Sequence, residues 1–176
     1  FSGTTMNKII LGVIYGGKST EHEISILSAN GILQQLDTEK YQIEYVYIDR
    51  SGHWHRQSHA QFVALVKNPK SDAEGSSRPS MASAAQGRPA QGDALVISLG
   101  QGKQSFRRLA DGKAVPVDVV FPILHGTFGE DGCIQGLLRM AEIPFVGADV
   151  TGSAIGMDKA VCKRLLAQAE IPSAKY

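Results

Sequence analysis

Apolar residues run almost unbroken from Ile9 to Tyr15, and a short, β-branched run of this kind predicts a strand covered on both faces. Gly16-Gly17 closes it with a tight turn. Ile24, Leu27, Gly31, Ile32 and Leu36 then recur at helical spacing, which predicts a helix over about Glu21 to Leu36 with one buried face. Between the two, Thr20 with Glu23 three residues on has the form of a capping box. A second strand is predicted over Tyr41 to Ile48, with Asp49-Arg50-Ser51-Gly52 as a turn into Trp54. Ser58 to Lys67 predicts a short helix carrying Phe62, Leu65 and Val66.

From Asn68 to Asp93 the chain is rich in Pro, Gly, Ser, Ala and Gln, too poor in large apolar residues to hold a fixed structure, and is read as a mobile surface loop. Ala94 to Leu99 and Gln104 to Leu109, joined across Gly100 and Gly102, predict a hairpin. Val117 to Leu124 is a third buried strand, with Pro122 near its end. It delivers His125-Gly126-Thr127-Phe128-Gly129-Glu130-Asp131-Gly132, a second glycine-rich loop. Ile134, Leu137, Leu138 and Ala141 mark the next helix, and Pro144 to Gly147 a short strand. From Thr151 the pattern is helical, with Val161, Cys162, Leu165, Leu166 and Ala169 on one face and Ile171-Pro172 as its end. This alternation predicts an α/β fold: an open, mainly parallel sheet with helices on both faces and a hairpin insertion. In such sheets ligands bind at the carboxyl ends of the strands, so two glycine-rich loops after two parallel strands would converge on one pocket.

Composition narrows the partners. The chain has 176 residues, 43% of them hydrophobic, enough for one globular domain with a core and part of a second. A net charge of +1 without a basic cluster argues against nucleic acid. No apolar run approaches the roughly 18 residues of a membrane span, so no membrane partner is expected. Two cysteines, Cys133 and Cys162, give no disulfide framework and suit the cytoplasm. Met6 reads as the natural start, with residues 1–5 as an appended remnant.

The residues that could carry chemistry lie at the two loops. Glu21, in the first turn of its helix, is either a solvated acid favoured by the helix dipole or the holder of a cationic group, such as a substrate ammonium. His125 reads, on its local sequence, as a histidine satisfied by backbone at the end of a buried strand. Glu130 and Asp131 are expected to shape the loop and cap the following helix. Lys159 sits near a helix amino terminus, where a cation opposes the dipole unless an anion is bound. His53, His55 and His59 lie close in sequence, but without a supporting motif they read as a solvated hairpin and not a metal site. Cys133 and Trp54 read as packing residues. Gly12 to Ser19 also satisfies G-x-x-x-x-G-K-[ST], with Asp49 after Tyr45-Val46-Tyr47-Ile48 as a magnesium carboxylate, which keeps a P-loop nucleotide hydrolase in view. Against it, Val13-Ile14-Tyr15 is too bulky for a phosphate-wrapping nest of amides.

Three segments in order, Gly16-Gly17-Lys18-Ser19-Thr20-Glu21-His22-Glu23-Ile24-Ser25, then His125 to Gly136, then Met157-Asp158-Lys159, resemble the amino-terminal part of the D-alanine–D-alanine ligases. The resemblance spans Asn7 to Tyr176 apart from the stretch around Asn68 to Asp93. It implies a Rossmann-like pre-ATP-grasp, substrate-binding domain over residues 6–150, and the first helix of a following ATP-grasp region over 151–176. It implies an ATP- and magnesium-dependent ligase that activates one D-alanine as an acyl phosphate and joins it to a second for peptidoglycan, working in the cytoplasm, with a homodimer as one possible state. Glu21 would contact the first substrate's ammonium, His125 would steady developing charge near the substrates, Ser25 would stand at the pocket wall, and Lys159 would bind ATP phosphate. Magnesium ligands would lie beyond residue 176, so this chain alone would not ligate. A non-catalytic small-molecule-binding domain stays as a further alternative.

Overall fold

The first apolar run is β1 (Ile9–Gly16), which lies inside a six-stranded sheet of order β5-β4-β3-β2-β1-β6. The structure is a computed structural model that describes residues 7–71 and 92–174. β1 pairs in parallel with β2 (Tyr41–Ile48), Gly12 opposite Glu44, and with β6 (Val119–Pro122), Gly12 opposite Val120. The β1–β6 side is reinforced by the Ile10 N–H, which donates to Asp118 Oδ2 at 2.8 Å, 108 residues further along the chain.

The other half of the sheet corrects the expected mainly parallel arrangement. β3 (Trp54–Gln57), β4 (Asp93–Ile97) and β5 (Phe106–Arg108) pair antiparallel, β3 with β2, β4 with β3 and β5 with β4. Between β2 and β3 the reason is connection length. The turn at Asp49 to Gly52, closed by the Gly52 N–H to Asp49 O at 2.9 Å, is far shorter than the dozen or so residues of a parallel crossover. The predicted hairpin, β4 and β5, is present, and it extends the sheet edge instead of standing apart. The strand expected at Pro144 to Gly147 is a single parallel bridge between Phe145 and Val120. Of the stretch from Asn68 to Asp93, residues 72–91 lie outside the described residues.

Helices cover both faces, as expected. In β1, Leu11, Val13 and Tyr15 share one cluster with Ile26 and Ala29 of α1 (His22–Leu33) and Phe62 and Leu65 of α2 (His59–Lys67). Ile14 points the other way, into a cluster with Val46, Val120, Phe106 and, from α3 (Cys133–Met140), Ile134 and Leu138. This is the period-2 alternation of a strand with two buried faces. Val13, Ile14 and Tyr15 are wholly buried, and each such side chain contributes about 1.5–3 kcal/mol relative to exposure.

The P-loop does not form. Gly12 is a ladder residue, and a Cβ there would stand 2.9 Å from Val117 Cγ1. Residues 13–16 also lie in the strand, so no curled nest of amides exists there.

Nor does the capping box at Thr20 and Glu23. Glu21 occupies the cap position with φ −92° and ψ 20°, outside the extended conformation that aims a capping side chain, and makes no side-chain cap bond. The Glu23 carboxylate instead pairs with Arg50 in the β2–β3 turn. α1 also ends earlier than expected, at Leu33. A capping box does open α2, where the Ser58 N–H donates to Gln61 Oε1 at 2.8 Å and the Gln61 N–H to Ser58 Oγ at 3.3 Å. α4 (Val150–Met157) and α5 (Lys159–Gln168) follow, capped by Asp149 and Asp158, and hold no buried residue.

Candidate functional site at the carboxyl edge of the sheet

β1, β2 and β6 run the same way, so their carboxyl ends meet at one edge. Gly16 and Gly17 turn the chain there with φ +90° and +98°. The Gly17 N–H donates to Ile48 O at 2.8 Å, fastening the loop after β1 to the end of β2. Ser25 fastens it on the other side. Its Oγ accepts the Gly16 N–H at 2.8 Å and donates to Ile123 O just beyond β6.

Ser25 is therefore not at the pocket wall. It is fully buried and its one hydroxyl proton is committed, so its side chain holds the site's floor together instead of facing a ligand. His22, which the sequence did not single out, is also fully buried: Nδ1 lies 2.6 Å from Gly17 O and Nε2 3.2 Å from the Tyr47 hydroxyl. These contacts occupy both ring nitrogens in supporting the same loop.

Glu21 stands above this floor, exposed. Its N–H donates to Ser19 Oγ at 3.0 Å. Its carboxylate reaches the second glycine-rich loop: a Cβ on Gly126 would lie 2.9 Å from Glu21 Oε2 and 2.7 Å from Ser19 Oγ. Gly126, at φ +69°, is thus the residue that lets the two loops touch. Among the described residues no Lys, Arg or His forms an ion pair with Glu21.

The second loop holds its own shape. Glu130 Oε2 accepts the Gly126 N–H at 2.7 Å, and Asp131 accepts the N–H groups of Phe128 at 2.8 Å and Cys133 at 3.1 Å. Burial acts to raise the Asp131 carboxyl, but the donated N–H bonds outweigh it and hold the group below its ordinary value. Glu130 and Asp131 thus shape the loop as expected, although the cap position of α3 itself is Gly132, at φ +95°. Cys133 is exposed, contrary to the packing role expected of it, and its contact with Asp131 pushes the thiol up, away from the reactive thiolate.

His125 begins the loop. Its Nε2 lies 3.0 Å from Ser28 Oγ and its Nδ1 3.8 Å from Glu130 Oε1. Ser28 went unmarked in the sequence. The available signal was spacing: Glu21, Ser25 and Ser28 are i, i+4 and i+7, one face of α1.

Lys18 lays its stem against Gly52 and its ammonium 6.0 Å from the ring centre of Phe128, an exposed residue at φ +67°. Lys159 lies apart, at the exposed start of α5, which packs on α4. Among the described residues it forms no ion pair with a carboxylate. A free cation in the positive field of a helix start is a setting that a phosphate would relieve.

The three hairpin histidines do not converge. His53 Nδ1 and His55 Nε2 share one oxygen, Asp49 Oδ2, at 3.3 and 3.1 Å, while His59 Nδ1 lies 2.9 Å from the Tyr45 hydroxyl. Among the described residues no group of three acidic, histidine or cysteine side chains could hold a metal ion. Asp49 also accepts the Ser51 and His53 N–H groups at 2.9 Å, so it is a turn residue. Trp54 packs against Phe106 at 6.1 Å between ring centres, as its packing role required.

Burial acts to raise the Asp49 carboxyl, yet the His55 and His53 contacts hold it below its ordinary value. A depressed folded value contributes stability that is present above the unfolded pKa, near 3.9, and is lost as pH falls through the folded value. The stability gap between the wild type and Asp49→Asn, read by urea unfolding, is therefore expected to narrow below about pH 4. A gap independent of pH would place the stabilisation elsewhere.

Residues 10–148 match the family described as D-ala D-ala ligase N-terminus. Among curated relatives, D-alanine–D-alanine ligase A of Chromobacterium violaceum is 41% identical over 172 residues, covering 97% of this chain and 43% of the relative. The Escherichia coli K12 enzyme of the same name is 40% identical over 172 residues, with the same coverage of 97% and 43%. The chain thus spans less than half the length of these relatives. Of solved structures, the Coxiella burnetii D-alanine–D-alanine ligase superposes with TM-score 0.77 at 35% identity, over 96% of this chain and 43% of that one. The VanG D-Ala:D-Ser ligase of Enterococcus faecalis does so with TM-score 0.77 at 32% identity, over 96% and 44%. The family match runs through both glycine loops and the strands that deliver them, and the chain belongs to the D-ala D-ala ligase N-terminus family.

Proposed function

We propose that this chain is the substrate-binding, amino-terminal part of an ATP-dependent ligase that joins two D-alanines for peptidoglycan in the cytoplasm. The observation that carries the proposal is the meeting of the exposed Glu21 carboxylate, which forms no ion pair among the described residues, with the His125 to Gly132 loop at the carboxyl edge of the sheet. An unpaired acid beside a glycine-lined loop suits a small ammonium-bearing substrate, and Glu21 holds that ammonium. His125 stands on the same loop, where a ring N–H steadies oxygen charge as it develops. Residues 6–150 form the substrate-binding domain, and α4 and α5 open the ATP-grasp region, where Lys159 receives a nucleotide phosphate. When bound, ATP supplies the phosphoryl group that activates the first D-alanine carboxylate as an acyl phosphate. Magnesium is assigned no ligand in this chain, and the homodimer stays a proposal of the family resemblance alone.

The test is a coupled assay of the full-length enzyme, in which ADP release is expected only with D-alanine present. There Lys159→Ala is expected to weaken Mg-ATP binding by about tenfold or more, the scale of a lost charge-assisted contact. Isothermal titration of the 176-residue chain with Mg-ATP should give weak binding at most. Tight, magnesium-dependent binding by that chain would overturn the reading that Lys159 serves an ATP site completed by an ATP-grasp domain, and would return Gly12 to Ser19 as the candidate. D-alanine binding without turnover in the full-length protein would leave the non-catalytic reading.

A further inference from the structure

The geometry points to Ser28 as the residue that, together with Glu130 on the other side of the ring, sets the proton on His125. Ser28 Oγ is 3.0 Å from Nε2, and no hydrogen-bond partner lies at Nδ1 among the described residues, since Glu130 Oε1 is 3.8 Å away. A neutral imidazole carries one N–H, and the partner of one nitrogen decides where it sits. The carboxylate on the Nδ1 side favours a proton there. Its other oxygen is already taken by the Gly126 N–H, which keeps it in place. The Ser28 hydroxyl then donates to the lone pair of Nε2, and the tautomer is Nδ1–H. The His125 side chain is 31% exposed, so the uncommitted Nδ1–H is reachable from the loop side.

Ser28 is well placed to impose this. It lies on α1 one turn beyond Ser25, whose buried hydroxyl fixes that helix to the ends of β1 and β6. His125 is carried by the chain leaving β6. The Ser28–His125 contact therefore joins two elements whose separation the Ser25 bonds already hold. Ser28 acts through the histidine and touches no substrate itself, which makes it a positioning residue.

The inference has one arm that stands without the ligase reading and one that rests on it. In the first, the chain is labelled with ¹⁵N and the His125 ring is observed in its neutral form by two- and three-bond ¹H–¹⁵N correlation, which distinguishes the tautomers. Wild type is expected to show Nδ1–H. Ser28→Ala, which leaves only the Glu130 carboxylate to bias the ring, is expected to weaken that preference, and Ser28→Thr, which keeps the hydroxyl, to retain it. An Nε2–H ring in the wild type, or a ring unchanged by Ser28→Ala, overturns the proposal. In the second, full-length Ser28→Ala is expected to lower kcat about tenfold with KM within about twofold, and Ser28→Thr to recover most of the loss. Equal kcat for Ser28→Ala and wild type also overturns it. If the wild-type full-length protein shows no D-alanine-dependent ADP release, the ligase reading fails by itself, and the ring tautomer decides the role of Ser28. Should Ser28→Ala fail to fold, Ser28→Cys, a weak donor of similar size, takes its place in both arms.

Discussion

Glu21→Gln in the full-length enzyme is expected to raise the D-alanine concentration needed for half-maximal ADP release by about 10- to 150-fold, the equivalent of the 1.5–3 kcal/mol of a hydrogen bond to a charged group. The carboxylate is exposed and makes no ion pair among the described residues, so its removal breaks nothing in the fold. In the proposed site it faces the substrate ammonium where Ser19 and Gly126 lie against it, and there a glutamine keeps the shape and loses the charge. Unfolding midpoints of the two proteins should agree closely. Glu23→Gln, two residues away, is the control: its carboxylate is turned toward Arg50, and its loss should touch stability slightly and D-alanine use hardly at all. Equal, small kinetic effects from both changes would count against the ammonium assignment.

The largest effect on the fold is expected from Gly16→Ala. Gly16 sits at φ +90°, where any side chain is strained, and the added methyl would intrude on the Ile48 carbonyl and stand 2.9 Å from Tyr47 Cε2. The carbonyl cannot step aside, because it already accepts the Gly17 N–H at 2.8 Å. Backbone strain and overpacking each cost about 1–3 kcal/mol, and their sum takes a large share of a marginal stability. Chemical denaturation should show a loss of about 3 kcal/mol or more, or no folded protein at all. Gly31→Ala, in α1 with open space around it, should be neutral or slightly stabilising in the same experiment.

β1, β2, α2 and the β4–β5 hairpin were legible because each rests on local periodicity and turn chemistry. The approach of the two glycine loops was legible because glycine clusters after apolar runs mark strand ends. Strand direction was not: apolar runs look alike in parallel and antiparallel neighbours, and only the length of the Asp49 to Gly52 turn hinted that β3 reverses. Thr20 and Glu23 mislead because a capping box is a pattern of two residues, and Arg50, the partner that claims Glu23, is 27 positions away. Ser25 was identified as a site residue, but whether a hydroxyl faces a ligand or a carbonyl is decided by β6, far along the chain. Ser28 and His22 escaped for the same reason. Their partners, His125 and Tyr47, are 97 and 25 residues distant.

The same separation bears on how the protein is made. β1 lies inside the finished sheet, yet its contacts on the β6 side, such as the Ile10 bond to Asp118, span 108 residues. At roughly 5–20 residues per second of synthesis, about 5–20 seconds pass between the appearance of β1 and that of its second neighbour. Through that interval β1 is an edge strand with an apolar flank uncovered, the arrangement from which intermolecular pairing begins. The nascent chain is thus most exposed to aggregation while β1 is still waiting for β6, and slower synthesis across that stretch lengthens the exposure.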